Sequence, residues 1–199
     1  MQVRMLARVL LAALSIWPMG VAAQHAHHGA SPYAGMEGRA IKSLSAEDLE
    51  ELRRGGGWGL ALVAELNGVP GPAHLLELAE AIPLQPDQVR AIRELHAAMQ
   101  AAAIAEGERL IALEAALDAG FREGSLDDLA LRTLLDAIGA SRARLRYIHL
   151  QTHLATPELL RPEQIARYRE LRGYAANDPC AAVPEGHDPK MWRRHRGCE

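Results

Sequence analysis

The chain has 199 residues, with 22 Lys and Arg against 25 Asp and Glu, a formal charge of −3. That length suits a single domain behind any leader, and the acidic balance argues against a general nucleic-acid binder. With one Phe in the whole chain, the core must come from Leu, Ile, Val and Ala, which fits a helical bundle better than a sheet.

Residues 1–23 have the pattern of a secretory signal. Arg4 and Arg8 supply the positive end, Val9 to Trp17 is a short apolar run, and Val21-Ala22-Ala23 fits a small-residue cleavage site. The run is short for a bilayer span, so export with cleavage is expected rather than anchoring. Cleavage would remove Arg4 and Arg8, leaving 20 basic against 25 acidic residues, a balance of −5. The new N-terminus would be Gln24-His25-Ala26-His27-His28-Gly29. Such a tract can hold copper, nickel or zinc through imidazole nitrogens, or be a solvated tail with incidental His. The expected organisation is a signal over 1–23, a flexible His-containing segment over 24–43, a helical domain over 44–174, and a Cys/His/Met-containing tail over 175–199.

Within the domain, a short helix is expected over Leu44 to Arg54, with Ser45 as N-cap and Asp48 completing a capping box. Gly55-Gly56-Gly57 breaks it, without the Lys-Ser/Thr of a phosphate loop. A second short helix is expected from Trp58 to Leu66, stopped by Asn67-Gly68. A third starts at Val69-Pro70-Gly71-Pro72 and runs to about Ile82, before Pro83. The first long helix then runs from Pro86 to about Phe121. Val89, Ile92, His96, Met99, Ala103, Glu106, Leu110, Leu113 and Leu117 recur at 3-4 spacing along one seam. Gly120 to Ser125 forms the turn, and Ser125 is the expected cap of the second long helix. There Leu131, Leu134, Ile138, Leu145, Ile148 and Thr152 repeat the pattern. A last helix starts at Pro162 and stops near Gly173. The fold class is therefore all-α, a long antiparallel helical hairpin with shorter flanking helices.

Two pentapeptides flank this hairpin: Leu84-Gln85-Pro86-Asp87-Gln88 and Leu160-Arg161-Pro162-Glu163-Gln164. Each is a good helix start, with Pro in the first turn and an acid facing the positive helix end. As a pair they resemble the Leu-Thr-x-x-Gln motif of the Spy/CpxP family of bacterial periplasmic proteins. The likeness covers roughly residues 70–174, with Gln85 and Arg161 where the family has Thr. It implies a periplasmic location, a hooked four-helix fold and a homodimer.

His149 and His153 lie four apart on one helix face and can chelate one ion. Hairpin register brings in two more: antiparallel neighbours pair residues mirrored about their loop. With turns centred near 123–124 and 84–85, His149, His153 and His74 all fall level with His96. His96 sits on the apolar seam and needs a polar partner there. Its bland role would be a core His bonded to Tyr168 or a carbonyl. The layer of His74, His96, His149 and His153 is the candidate metal site, with Met99 and Glu77 as extra ligands. Imidazoles suit Zn, Cu(II) or Ni(II), and a Met donor tilts toward copper. CnrX-type sensors of the family carry histidines on the N-terminal helix, and a His late in the second hairpin helix followed by Met four residues later. By that resemblance His74 lies in the matching first helix, His149 matches the late His, and His153 stands in place of Met.

The tail holds Cys180, His187, Met191, His195 and Cys198. Asp188-Pro189 can start a short helix placing Met191 and His195 on one face beside Trp192. In an exported chain two Cys most simply form a disulfide. The alternative is a thiolate-imidazole-thioether copper site. No nucleophile elbow, redox Cys-x-x-Cys or catalytic carboxylate pair stands out, so no enzyme is expected. The expected function is a periplasmic heavy-metal sensor or buffer of the copper, zinc or nickel class. The family implies a membrane anti-sigma factor or sensor kinase as its partner. The alternative is a Spy-like ATP-independent chaperone for unfolded clients, with Arg142, Arg144, Arg146, Arg167, Arg169 and Arg172 as a basic patch.

Overall fold

A computed structural model describes residues 31–174, 183 and 188–198. The chain divides into two compact units, Met1–Ala34 and Gly35–Glu199, and the described helices all lie in the second. They are α1 (Ala46–Arg53), α2 (Leu62–Leu66), α3 (Pro72–Glu77), α4 (Pro86–Glu123), α5 (Asp128–Ala155), α6 (Pro162–Leu171) and α7 (Pro189–Arg196). Among the described residues the only β feature is an isolated bridge between Ile41 and Leu44. No described helix is long and apolar enough to cross a membrane. The fold is all-α, and α4 with α5 is the long hairpin. The signal-like residues 1–23 and the His tract at 24–29 lie outside the described residues.

Local chemistry explains most boundaries. Ser45 caps α1, accepting from the Asp48 N–H at 3.1 Å, while Asp48 accepts from the Ser45 N–H at 2.8 Å. α2 begins at Leu62 rather than Trp58. Trp58 and Gly59 sit at φ 43° and 69°, left-handed values that a right-handed helix excludes. α3 stops at Glu77 rather than near Ile82, and the chain reaches Leu84 through turns closed by Ile82 N–H to Leu78 O at 2.8 Å. Ser125 does not cap α5. Its N–H bonds the Gly120 carbonyl at 3.1 Å, closing the end of α4 around Gly124 at φ 63°. Asp127 caps α5 instead, accepting from the Ala130 N–H at 2.7 Å.

The core falls into two clusters. The larger joins Ile41, Leu44 and Leu52 to Ala103, Leu110, Ile111, Ile138 and Leu145. α1 approaches α4 so closely that a Cβ on Gly107 would lie 2.5 Å from the Leu52 carbonyl oxygen. Two buried-side carboxylates stitch the same region. Glu114 accepts from the Ser43 hydroxyl at 2.8 Å, and Glu106 accepts from the Ser141 hydroxyl at 2.6 Å. The smaller cluster packs Leu75, Ile82, Ile92 and Tyr168, all fully buried.

The two motif copies meet directly. Gln88 Nε2 donates to Gln164 Oε1, and Gln164 Nε2 donates to Gln88 Oε1, both at 2.9 Å. Each glutamine also reaches back to its own helix start: the Gln85 N–H donates to Gln88 Oε1 and the Arg161 N–H to Gln164 Oε1, each at 2.9 Å. The second amide hydrogens go to carbonyls of the partner's approach segment, Leu159 O at 2.7 Å and Pro83 O at 2.9 Å. Gln164 is 2% exposed, so truncation would leave several of these groups without water. Gln164→Ala is expected to lower unfolding free energy by about 2–4 kcal/mol. Denaturant unfolding measures it, and a loss under about 0.5 kcal/mol would contradict the clamp.

Candidate metal centre

On α4 the apolar seam is interrupted at His96, between Ile92 of the small cluster and Met99, which packs against the large one. Opposite this gap α5 presents His149, Thr152 and His153. The start of α3 and the glycine-rich loop at 55–59 close the remaining sides. The result is a cavity of about 530 Å³ whose lining includes His74, His96, His149 and His153, together with Glu65, Glu77 and Met99. The structure therefore brings all four sequence-chosen histidines to one cavity.

Each ring has a definite setting. His153 is 6% exposed, and its Nδ1 lies 3.1 Å from the Val69 carbonyl. His74 is half-buried, with Nδ1 2.9 Å from Glu77 Oε2. Both partners can only accept, so Nδ1 carries the proton in each ring. Both Nε2 atoms face one oxygen: Glu65 Oε1 lies 3.5 Å from His153 Nε2 and 3.6 Å from His74 Nε2. His149 is 5% exposed and its Nε2 has no hydrogen-bond partner. Burial first, then neighbouring His153, lowers its pKa and favours the neutral imidazole. His96 is half-buried at the same cavity.

Glu65, absent from the sequence expectation, is the hub of the site. Its Oε2 accepts from the Tyr168 hydroxyl at 3.0 Å and lies 3.8 Å from Arg172 Nη2. Tyr168 is thus bonded to Glu65 and not to His96. Burial, and next the Glu65 charge, push the Tyr168 phenol well above its ordinary pKa, so it remains an O–H donor. The available signal was a lone carboxylate in the apolar run at 60–66. Gly71 is likewise a site residue that the sequence expectation lacked. A Cβ there would lie 2.5 Å from His153 Cε1 and 3.2 Å from Glu65 Oε1.

The donor set suits a borderline transition metal: orphaned buried His149 Nε2, two further rings oriented by bonds at Nδ1, and a carboxylate oxygen. Among the described residues, no three His, Cys, Asp or Glu side chains already form a ready-made ligand group. Glu65 now holds the rings in pairwise contact, and ligation would require side-chain adjustment.

In the tail, Asp188 caps α7, and Met191 and His195 are exposed on it. Cys198 is disulfide-bonded, as expected of two Cys in an exported chain, and this takes it out of the alternative thiolate copper site. Cys180 and His187 lie outside the described residues. The arginines proposed as a basic patch are largely engaged within the chain. Arg142 stacks over Trp58 at 4.7 Å, Arg144 pairs with Glu106 at 3.2 Å, and Arg169 Nε donates to Gly68 O at 3.0 Å. No protein-family profile, curated protein or solved structure matches the chain.

Gly71 has φ −100° and ψ 155°, backbone that alanine adopts freely. Any loss on Gly71→Ala must therefore come through His153 and Glu65. The expected loss is about 1–3 kcal/mol of stability, read by denaturant unfolding. A stabilised variant, as Gly→Ala gives at unconstrained sites, would show that the ring does not pack as described.

Proposed function

We propose that this chain is a periplasmic heavy-metal-binding protein of the Spy/CpxP type, a sensor or buffer. Its ion, of the copper, zinc or nickel class, is held by His74, His96, His149 and His153. The observation that carries the reading is the state of three rings. Two have Nδ1 committed to acceptors and turn Nε2 inward, and the third buries an Nε2 with no partner. Buried polar atoms without partners are rare in native proteins, and a cation would give His149 Nε2 a partner while drawing on the two other rings that line the same cavity.

An ion there would tie α3 to α5 and, through His96, to α4. The free energy of ligation would shift the packing of the short helices against the hairpin, which is how loading is passed to a partner. A homodimer and a membrane anti-sigma factor or sensor kinase belong to the same proposal.

The test is calorimetric titration of the exported protein with Zn²⁺, Cu²⁺, Ni²⁺ and Co²⁺. The His149→Ala/His153→Ala double variant is expected to lose about 100-fold or more in affinity for the tightest ion. Unchanged affinity for every ion sinks the reading.

A second reading, an ATP-independent chaperone, rests on exposed apolar side chains. Leu62, Val63 and Leu66 of α2, and Leu129, Leu135, Tyr147 and Leu154 of α5, are each about half exposed or more. It expects suppression of client aggregation that ignores both added metal and the double His variant. Suppression that requires metal would favour the first reading.

A further inference from the structure

We propose that Glu65 is the anionic ligand of this site and that it selects divalent ions over Cu⁺. The inference rests on the metal-binding reading above and adds to it a residue and an ion class.

Glu65 is 14% exposed, and its two oxygens face different surroundings. Oε2 is occupied by the Tyr168 hydroxyl, with Arg172 behind it. Oε1 faces His74 Nε2 and His153 Nε2. A charged oxygen thus lies within reach of two ring nitrogens in one cavity. The arrangement is tightly held. His153 is fixed by the Val69 carbonyl, and Gly71 leaves space for the ring that even a methyl group would fill. Beside them His149 Nε2, on a ring 5% exposed, is unpartnered and lines the same cavity.

The chemistry follows from the donor types. Imidazoles alone accept Zn²⁺, Cu²⁺ and Ni²⁺. A carboxylate oxygen adds a hard, charged donor that favours divalent ions, whereas Cu⁺ prefers sulfur. The cavity also carries Met99, the donor Cu⁺ would seek. Ion choice therefore depends on which of two donors, Glu65 or Met99, enters the ligand set. The geometry points to Glu65, since it already stands between two ring nitrogens.

The experiment measures Zn²⁺ and Cu⁺ affinities, by competition with chromophoric chelators, for the full exported chain and three variants. Glu65→Gln retains an oxygen acceptor for Tyr168 but loses the charge. It is expected to weaken Zn²⁺ binding by about 30-fold or more and to change Cu⁺ binding less than about threefold. Tyr168→Phe keeps the carboxylate and removes its hydroxyl partner, so Zn²⁺ affinity is expected to fall by about 10-fold, less than in Glu65→Gln. The third, the His149→Ala/His153→Ala double variant, is expected to lose about 100-fold or more in Zn²⁺ affinity. Equal losses of both ions in Glu65→Gln, or a Tyr168→Phe loss as large as that of Glu65→Gln, would show a structural role and overturn the proposal. If Glu65→Gln binds Zn²⁺ like wild type while the double His variant does not, Glu65 is no ligand and the His site stands. If neither variant changes any affinity, both proposals fall.

Discussion

The paired amides of Gln88 and Gln164 are the constraint on which the architecture depends. Each side chain serves its own helix start, the other's amide, and a carbonyl of the other's approach segment. No other residue type offers two donors and an accepting oxygen at that length in one plane. The pair fixes the start of α4 against the start of α6, although the two glutamines are 76 residues apart in the chain. The long hairpin between them is thereby closed at its open end. Tyr168, one turn beyond Gln164, is placed in the small cluster by the same contact. From there its hydroxyl meets Glu65.

That chain of contacts gives the cavity its walls. A continuous apolar seam on α4 would let α3 and the glycine loop pack flush against the hairpin. Instead His96 interrupts the seam, and α5 answers with His149 and His153. A buried imidazole without a partner weakens the fold, since its nitrogen loses water and gains nothing. The fold tolerates this at His149 because the hairpin is secured at both ends of the gap. Below lie Leu110, Ile138 and Leu145, and above lies the glutamine clamp. Local instability is thus held within a rigid frame, a common arrangement at binding sites.

Much of this was legible in the sequence. Both helix starts follow from Pro and Gln at fixed offsets, and Ser45 and Asp48 specified the α1 cap. The convergence of His74, His96, His149 and His153 on one cavity followed from mirror register about two turns, because helical rise is constant along straight, antiparallel rods. The parts that escaped are those where tertiary contact overrides local pattern. Ser125 has the right chemistry for an N-cap, yet α5 begins three residues further on, where Asp127 takes the Ala130 N–H instead. Trp58 would continue a helix by propensity, yet its indole donates to Asp48 Oδ1 at 2.7 Å and its backbone adopts φ 43° to get there. The local signal at Glu65 is only a carboxylate in an apolar run, since its partners lie on α3, α5 and α6. Only the fold brings them within reach.

The division of labour between long and short helices has a consequence for how an ion would be felt. α4 and α5 bury their seam along most of the hairpin and are indifferent to what occupies one layer. α2 and α3 are five and six residues long, too short to hold helical form without tertiary support. Their inner faces supply Glu65 and His74, while Leu62, Val63 and Leu66 of α2 stay exposed on the outside. Ligand bonds to Glu65 and His74 would therefore act on the segment with the least stability of its own. That segment is also the one that carries the apolar surface. Any change of packing on ligation would therefore be felt first at α2, whose outer face is the exposed one.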